Sequence, residues 1–380
     1  MKLASAKECS ACMACIDACN HNVLKTVVDS EGYYKIDISN QSACVECGLC
    51  SKVCPILNRV DTRKNDCLES YAVWAKDDKL RYKCASGGAF GAIAEYIINK
   101  GGVAYGAAID KFRIRHRRAT NLHELQALLG SKYQHSELTG VYKEVKKDLL
   151  SGKIVLFSGL SCQIAGLIKF LGSINRSNLI TLDTICGGLS TMLPMISLEK
   201  SGKYSGIHSF RDKVNGWQPV GFKYSLKMDS NDGHIIDLGL DNHVLNTFSS
   251  KLLKRYNCLT CKFNGLDRSS DITIGDYWGD TTLPNQHSLG LSVAIVRSKK
   301  ASDIIRQVLN YQTTDLNAII AGNPNLVKGH YPLVRYLPSR VKALKLQSEG
   351  KFDMAWKYMS PHSFNGLILR LAIKISTILK

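Results

Sequence analysis

Two runs of cysteine share one spacing. Cys9, Cys12, Cys15 and Cys19 form the first; Cys44, Cys47, Cys50 and Cys54, followed by Pro55, form the second. Each reads C-x2-C-x2-C-x3-C. Thiolates suit iron in four-iron cubane clusters, and the short spacing lets three ligands grip one face of a cube. The fourth cysteine of each run then ligates the other cluster. That assigns Cys9, Cys12, Cys15 and Cys54 to one cluster, and Cys44, Cys47, Cys50 and Cys19 to the other. A pair of zinc sites is the alternative. Zinc takes four ligands, usually as two CxxC pairs, and eight cysteines in two identical runs fit that poorly. Clusters of this kind move single electrons and leave substrate bonds intact, so the rest of the 380-residue chain must hold what they serve.

Further thiols lie downstream. Cys258 and Cys261 make a CxxC, and Cys162 and Cys186 stand alone. The four complete a third thiolate set only if three separate segments converge. A structural zinc, or two buried cysteines beside an inert CxxC, would use the same residues. Cys67 and Cys84 have no partner pattern and are read as packing residues.

The elements that position these residues follow from hydrophobic patterning. Between the two runs, residues 32–38 (GYYKIDI) read as one strand of a hairpin, as in bacterial two-cluster ferredoxins, whose C-P ending the second run shares. A polar link at 58–66 follows. Apolar runs then alternate with helical patterns, which predicts an α/β architecture. Residues 70–75, 154–158, 179–185 and 271–275 read as strands. Ser86-Gly87-Gly88 opens a helix with Phe90, Ile93 and Ile97 on one face. Glycines at a helix start let an anion such as a pyrophosphate approach free N–H groups. A tight turn has the same sequence. Gly159-Leu160-Ser161 turns into a helix with Ile164, Leu167, Ile168 and Leu171 at helical spacing. Cys162 sits at its start, where the dipole favours a thiolate. Loops beyond the carboxyl ends of parallel strands are the usual ligand sites of such sheets.

Composition sets the frame. Hydrophobic residues are 45% and charged residues 22%, ordinary for a globular protein with a large core. No apolar stretch reaches the 18 residues of a membrane span. The opening MKLASAKECSAC lacks a signal-peptide core. These points predict a cytoplasmic protein with reduced cysteines. The net charge of +18 is uneven. Residues 1–60 hold six Lys/Arg against six Asp/Glu, whereas residues 325–380 hold ten against two. Such a tail suits an anionic partner or is a solvated basic face. Residues 364–380 alternate apolar residues with Arg370, Lys374 and Lys380. An amphipathic helix on an anionic bilayer has this pattern, and so does a helix packed on its own core. A peripheral position at the inner membrane face is therefore the alternative location. No nucleic-acid reading motif is present.

Taken together, SGGAFGAIAEYI (86–97), GSKYQHS (130–136), VLFSGLSCQIAGLIKFL (155–171), LDTICGG (182–188), FRDKVNGW (210–217), CLTCKF (258–263) and DITIGDYWG (271–279) resemble the beta-subunit family of coenzyme F-420 hydrogenases and dehydrogenases. The likeness runs from about residue 70 to 300, and a ferredoxin module precedes it in many relatives. Bacterial members among polysaccharide-biosynthesis proteins look most similar. With the cysteine runs and the basic tail, the resemblance gives a small ferredoxin domain (1–60), a larger α/β flavin-binding domain (67–315) and a basic helical tail (316–380) as the expected organisation. It implies noncovalent FAD with a 4Fe-4S cluster beside it. Cys162, Cys186, Cys258 and Cys261 are then that cluster's ligands, and Ser86, Gly87, Gly88, Lys132, Ser158 and Gly159 lie near the flavin. Two departures stand out. Relatives commonly read GTPCQ where this chain has Gly159-Leu160-Ser161-Cys162-Gln163, and C-H-G where Cys186 is followed by Gly187. The absent histidine removes a candidate proton donor.

The expectation is thus an iron–sulfur flavoprotein oxidoreductase. It passes electrons from a ferredoxin-like protein or deazaflavin through 4Fe-4S clusters to FAD and on to a small organic substrate. The alternative is an electron-transfer subunit without a substrate of its own. Asp183, Asp276, His135 and Lys213 are candidate acid/base groups, with Asp276 first. Arg211, Lys213 and Trp217 are candidates to hold an anionic or sugar-like substrate by charge and stacking.

Overall fold

Leu24–Val28 (β1) and Tyr34–Ile38 (β2) pair antiparallel, with Val28 opposite Tyr34, and form the hairpin expected between the cysteine runs. Each run leads into one short helix: Ala14–Asp17 (α1) and Leu49–Lys52 (α2). The computed structural model describes every residue except 59, 61–67, 215, 218–224, 240–241, 281–282, 284–287, 328–330, 361–362 and 379–380. Cys67 and Lys380 therefore lie outside the described residues.

The centre is a nine-stranded mixed sheet. Its strands are Glu69–Ala75 (β3), Val103–Asp110 (β4), Arg113–Ala119 (β5), Ser136–Glu137 (β6), Val155–Gly159 (β7), Leu179–Thr184 (β8), Ile272–Asp276 (β12), Ser292–Val296 (β13) and Leu309–Thr313 (β14). They lie in the order β14-β3-β13-β12-β8-β7-β4-β5-β6. The four middle strands, β12, β8, β7 and β4, run parallel. Strands covered on both faces read as continuous apolar runs rather than alternating ones, and Val155, Leu156 and Phe157 are all fully buried. Tyr204–Ser209 (β9), Lys227–Ser230 (β10) and Ile235–Asp237 (β11) form a separate antiparallel sheet. The α/β class expected from the sequence is what the chain adopts.

Alternate residues of the middle strands feed two cores. Leu156, Ile180 and Leu182 join one with the helix Ala89–Asn99 (α3). Val155, Phe157 and Leu179 join the other with Val141–Leu150 (α4) and Ser161–Leu171 (α5). Ala11, Met13, Ile16, Val23 and Leu24 of the cysteine-rich region complete that second core. The region therefore sits directly on the sheet's covering helices. Asp17 fixes the seating: its carboxylate accepts from the N–H groups of Gly140 (2.6 Å) and Tyr142 (2.9 Å) at the start of α4, where the helix dipole favours an anion.

The chain ends in Pro338–Ser348 (α6), Phe352–Met359 (α7) and Phe364–Ile378 (α8). Their core takes in Leu252, Leu253, Leu259 and, from the cysteine-rich region, Tyr33. The Tyr33 hydroxyl donates to Leu253 O at 2.9 Å. No described helix is long and apolar enough to cross a membrane.

Ser158 ends the strand as expected, and Gly159, expected to begin the turn into the helix, is instead the last residue of β7. Ser158 pairs with Leu182 and Gly159 with Asp183, so β8 holds them in the ladder.

Candidate metal centres and redox site

The structure brings Cys54 to the first cysteine run. Cys9, Cys12 and Cys15 each sense Cys54 electrostatically. Cys19, Cys44, Cys47 and Cys50 instead line one cavity, with Val23, Leu24 and Leu49. Cys54 thus lies with the first run and Cys19 with the second. The two sets adjoin through Cys15, which also senses Cys50.

Three segments do converge on the third set. Cys162 comes from the first turn of α5, Cys186 from the loop after β8, and Cys258 and Cys261 from the 3-10 turn Tyr256–Thr260 and its end. All four line one cavity with Leu189, Phe263 and Arg268. Burial, and then the neighbouring sulfurs, push Cys258 up to about 12; burial leads again for Cys261, up to about 11, and for Cys162, well above the ordinary range. Without metal, Cys162, Cys258 and Cys261 favour the protonated thiol, chiefly because burial disfavours the charge and then because the sulfurs repel one another as thiolates. Iron supplies the compensating charge and displaces the protons. Backbone N–H groups already point at the sulfurs: Gly188 at Cys186 (3.4 Å), Leu189 at Cys258 (3.5 Å) and Phe263 at Cys261 (3.4 Å). Such donors stabilise a charged cluster and tune its potential. Buried sulfurs with donors in place fit a four-iron cluster. No three His, Cys, Asp or Glu side chains among the described residues are arranged around a single ion.

Two residues that motif reading missed tie the sets together. Arg255 is buried and donates from Nε and Nη2 to Cys9 O (3.1 and 2.9 Å) and from Nη1 to Tyr34 O. Its charge reaches both Cys9 and Cys258. Gly166 on α5 faces Cys12: a Cβ there would lie 2.8 Å from the Cys12 sulfur. Cys12 is near enough to raise Cys162 electrostatically. Arg255 lies three residues before the CxxC, a signal legible only once the CxxC is known to hold metal. Nothing local marks Gly166.

The polar candidates resolve differently. Asp183 is fully buried, paired with Arg268 (3.0 Å) and bonded by the Ser161 hydroxyl. The pair braces the end of β8 beside the third set. His135 is buried edge-on to Tyr34 at 5.3 Å and held down to about 3, chiefly by burial. Asp276 accepts from Trp217 Nε1 at 2.7 Å and pairs with Arg211 at 3.2 Å, so FRDKVNGW and GDYWG do meet. The substrate role expected for Trp217 and Lys213 is overturned. Trp217 is 1% exposed and stacks on Trp278 at 5.3 Å. Buried Lys213 donates to Arg81 O, Ser86 O and Leu289 O. Neither has a free surface to offer.

The Ser86–Gly88 turn is closed by the protein itself. Ser86 Oγ donates to Leu291 O (2.6 Å) and Gly87 N to Ser292 Oγ (2.8 Å). Even a Cβ on Gly87 would strike Val73 O at 2.5 Å. The turn is needed for close packing on β3 and β13, and as packed it offers no phosphate cradle. Beside it the charge balance favours an anion. Burial lowers Lys132 and Lys213 to about 7, and both sense buried Cys84, whose sulfur takes the Gly91 N–H. Lys132 donates to the carbonyls of Ala127 and Leu129. The end of β7 is near: His116 donates to Ser158 O at 2.8 Å and also senses Lys132. An anionic cofactor fits the Lys132 and Ser158-Gly159 side by charge.

Thiol sets of this kind on an α/β sheet define an iron–sulfur redox protein. Residues 8–57 match the family model of a 4Fe-4S dicluster domain, and residues 152–321 match that of the C terminus of the coenzyme F420 hydrogenase/dehydrogenase beta subunit. The chain thus joins a stretch similar to each of these two domains, as an iron–sulfur electron-transfer protein related to that beta subunit would. Among solved structures, a chain from the xenon-derivatized F420-reducing [NiFe] hydrogenase complex of Methanosarcina barkeri aligns with 78% of this chain and 91% of its own. Identity is 14% and the TM-score 0.44, too loose a likeness to argue from. No curated protein matches the chain.

Proposed function

We propose that the chain is a relay of three 4Fe-4S clusters ending at FAD, and that it reduces or oxidises a small organic substrate there. The observation that carries this reading is the order of the thiol sets. Cys47 is exposed, Cys50 adjoins Cys15, and Cys12 adjoins Cys162. One-electron carriers set in a row from surface to interior serve transfer and little else. In this reading Cys19, Cys44, Cys47 and Cys50 hold the outer cluster, and Cys9, Cys12, Cys15 and Cys54 the middle one. Cys162, Cys186, Cys258 and Cys261 hold the inner one.

FAD as the terminal carrier is supported by the resemblance of the 86–97, 130–136 and 155–171 stretches and by the buried lysine charge near Cys84. Lys132 with Ser158 and Gly159 would hold it; the closed Ser86–Gly88 turn shapes the wall. FAD held there would supply the switch between one-electron and two-electron chemistry. The chain's own residues leave the outer set open at Cys47 and bury Cys12 of the middle set. Asp276 orients the 210–217 loop through Arg211 and Trp217. The place in polysaccharide biosynthesis rests on the resemblance alone.

A second reading is an electron-transfer subunit whose donor or acceptor is another protein. It is favoured by Val45 (61% exposed), Leu49 and Met1, apolar residues bared around the outer set. Iron, sulfide and flavin content of anaerobically purified protein tests the proposal. About twelve iron and one FAD per chain support the full relay. About eight iron without flavin overturns it.

A further inference from the structure

We propose that the C-terminal lobe binds an anionic membrane surface through the outer face of α8. This helix has two apolar sides. Ala372 and Ser376 face inward, and Leu369 and Ile373 pack with Val334, Ala355 and Met359 of the lobe's core. On the outer side Phe364, Leu367, Leu371 and Ile375 are 75%, 51%, 57% and 40% exposed. Steps of three, four and four residues set them on one ridge, about 17 Å long at 1.5 Å per residue. Arg370 and Lys374, both exposed, run along one side of it. Packing on the protein's own core thus explains one face of the helix and leaves the other unexplained.

Charge selects the occupant. Lys342, Lys345, Lys351 and Lys357 of the lobe are also exposed. Of the two acidic residues between 325 and 380, Glu349 is engaged by Lys345 and Lys351. A second copy seated on the ridge would bring two such lobes together against their own repulsion. A continuous apolar ridge bordered by Lys and Arg suits the boundary between anionic headgroups and acyl chains, where the apolar face sinks in and the cations stay at the phosphates. The helix is too short to span, so it lies in the plane. The reading is independent of the redox proposal.

The test is co-sedimentation of the full-length, iron-loaded protein with phosphatidylcholine vesicles, with and without phosphatidylglycerol. Binding is expected only to the anionic vesicles and is expected to fall with salt. Each interfacial Lys or Arg contributes about fivefold to partitioning, so R370Q with K374Q lowers it by about 30-fold. L367S with L371S abolishes it. Both variants keep wild-type iron content and absorption, which shows that the fold survives. No binding to anionic vesicles overturns the proposal, as does equal binding by the L367S/L371S variant. A wild-type dimer that the same substitutions convert to monomer, without vesicle binding by either, assigns the ridge to a second copy and overturns it too.

Discussion

Gly166→Ala sets two effects of opposite sign against each other. In the interior of a helix, alanine is favoured over glycine by about 0.8–1.0 kcal/mol, so propensity alone predicts a more stable protein. The added Cβ, however, would lie 2.8 Å from the Cys12 sulfur, 3.0 Å from Cys12 Cβ and 3.2 Å from the Tyr142 hydroxyl. Ordinary contacts sit at about 3.5–4.0 Å, so the neighbours must withdraw by about 0.7 Å. They have little freedom to do so. Ala11 and Met13 are fully buried on either side of Cys12, and Tyr142 is tied to Gln163 O at 2.8 Å. Overpacking of this kind costs about 1–3 kcal/mol. The contact therefore wins, with a net loss of about 1 kcal/mol. Anaerobic denaturant unfolding of the iron-loaded protein measures it, and the electron paramagnetic resonance of the reduced clusters reports the displaced Cys12. A variant stabilised by about 1 kcal/mol with unchanged spectra would refute the packing of α5 against the middle cluster.

Further predictions follow from the same geometry. Cys186→Ser lowers the iron content from about twelve to about eight per chain; unchanged iron would remove Cys186 from the third set. Asp183→Asn keeps the shape but leaves Arg268 buried without its counter-charge, at a cost of about 3–5 kcal/mol; chemical denaturation showing under about 1 kcal/mol would mean that the pair is dispensable. Burial, above all, holds His116 at about 4 and His135 at about 3, against 6.5 for a free histidine. The unfolded chain therefore takes up their protons first as the pH falls. The stability they contribute is full above about 6.5 and is lost as the pH falls towards about 4 for His116 and about 3 for His135. His135→Leu makes that decline shallower in denaturation midpoints measured against pH, and parallel curves would count against the assignment.

The sequence by itself determined the ligand chemistry of the first 60 residues. A repeated C-x2-C-x2-C-x3-C is a local pattern, and local spacing dictates which thiols can grip one cubane. The strands at 155–159, 179–184 and 272–276 were legible too, because central parallel strands leave continuous apolar runs. The tertiary structure decided what depends on distant segments. Cys162, Cys186, Cys258 and Cys261 are separated by up to 99 positions in the chain, and only the parallel pairing of β7, β8 and β12 delivers them to one cavity. The antiparallel pairing of β13 with β3 sets the Ser86–Gly88 turn against both strands and closes it, although its glycines read equally as a cradle. Burial reversed the reading of Trp217 and Lys213, since charge and aromaticity say nothing about which side of a side chain meets water. For α8 the alternation of residues allowed either a core or a membrane partner. Packing on Val334 and Ala355 used one face, and that left Phe364, Leu367, Leu371 and Ile375 outside.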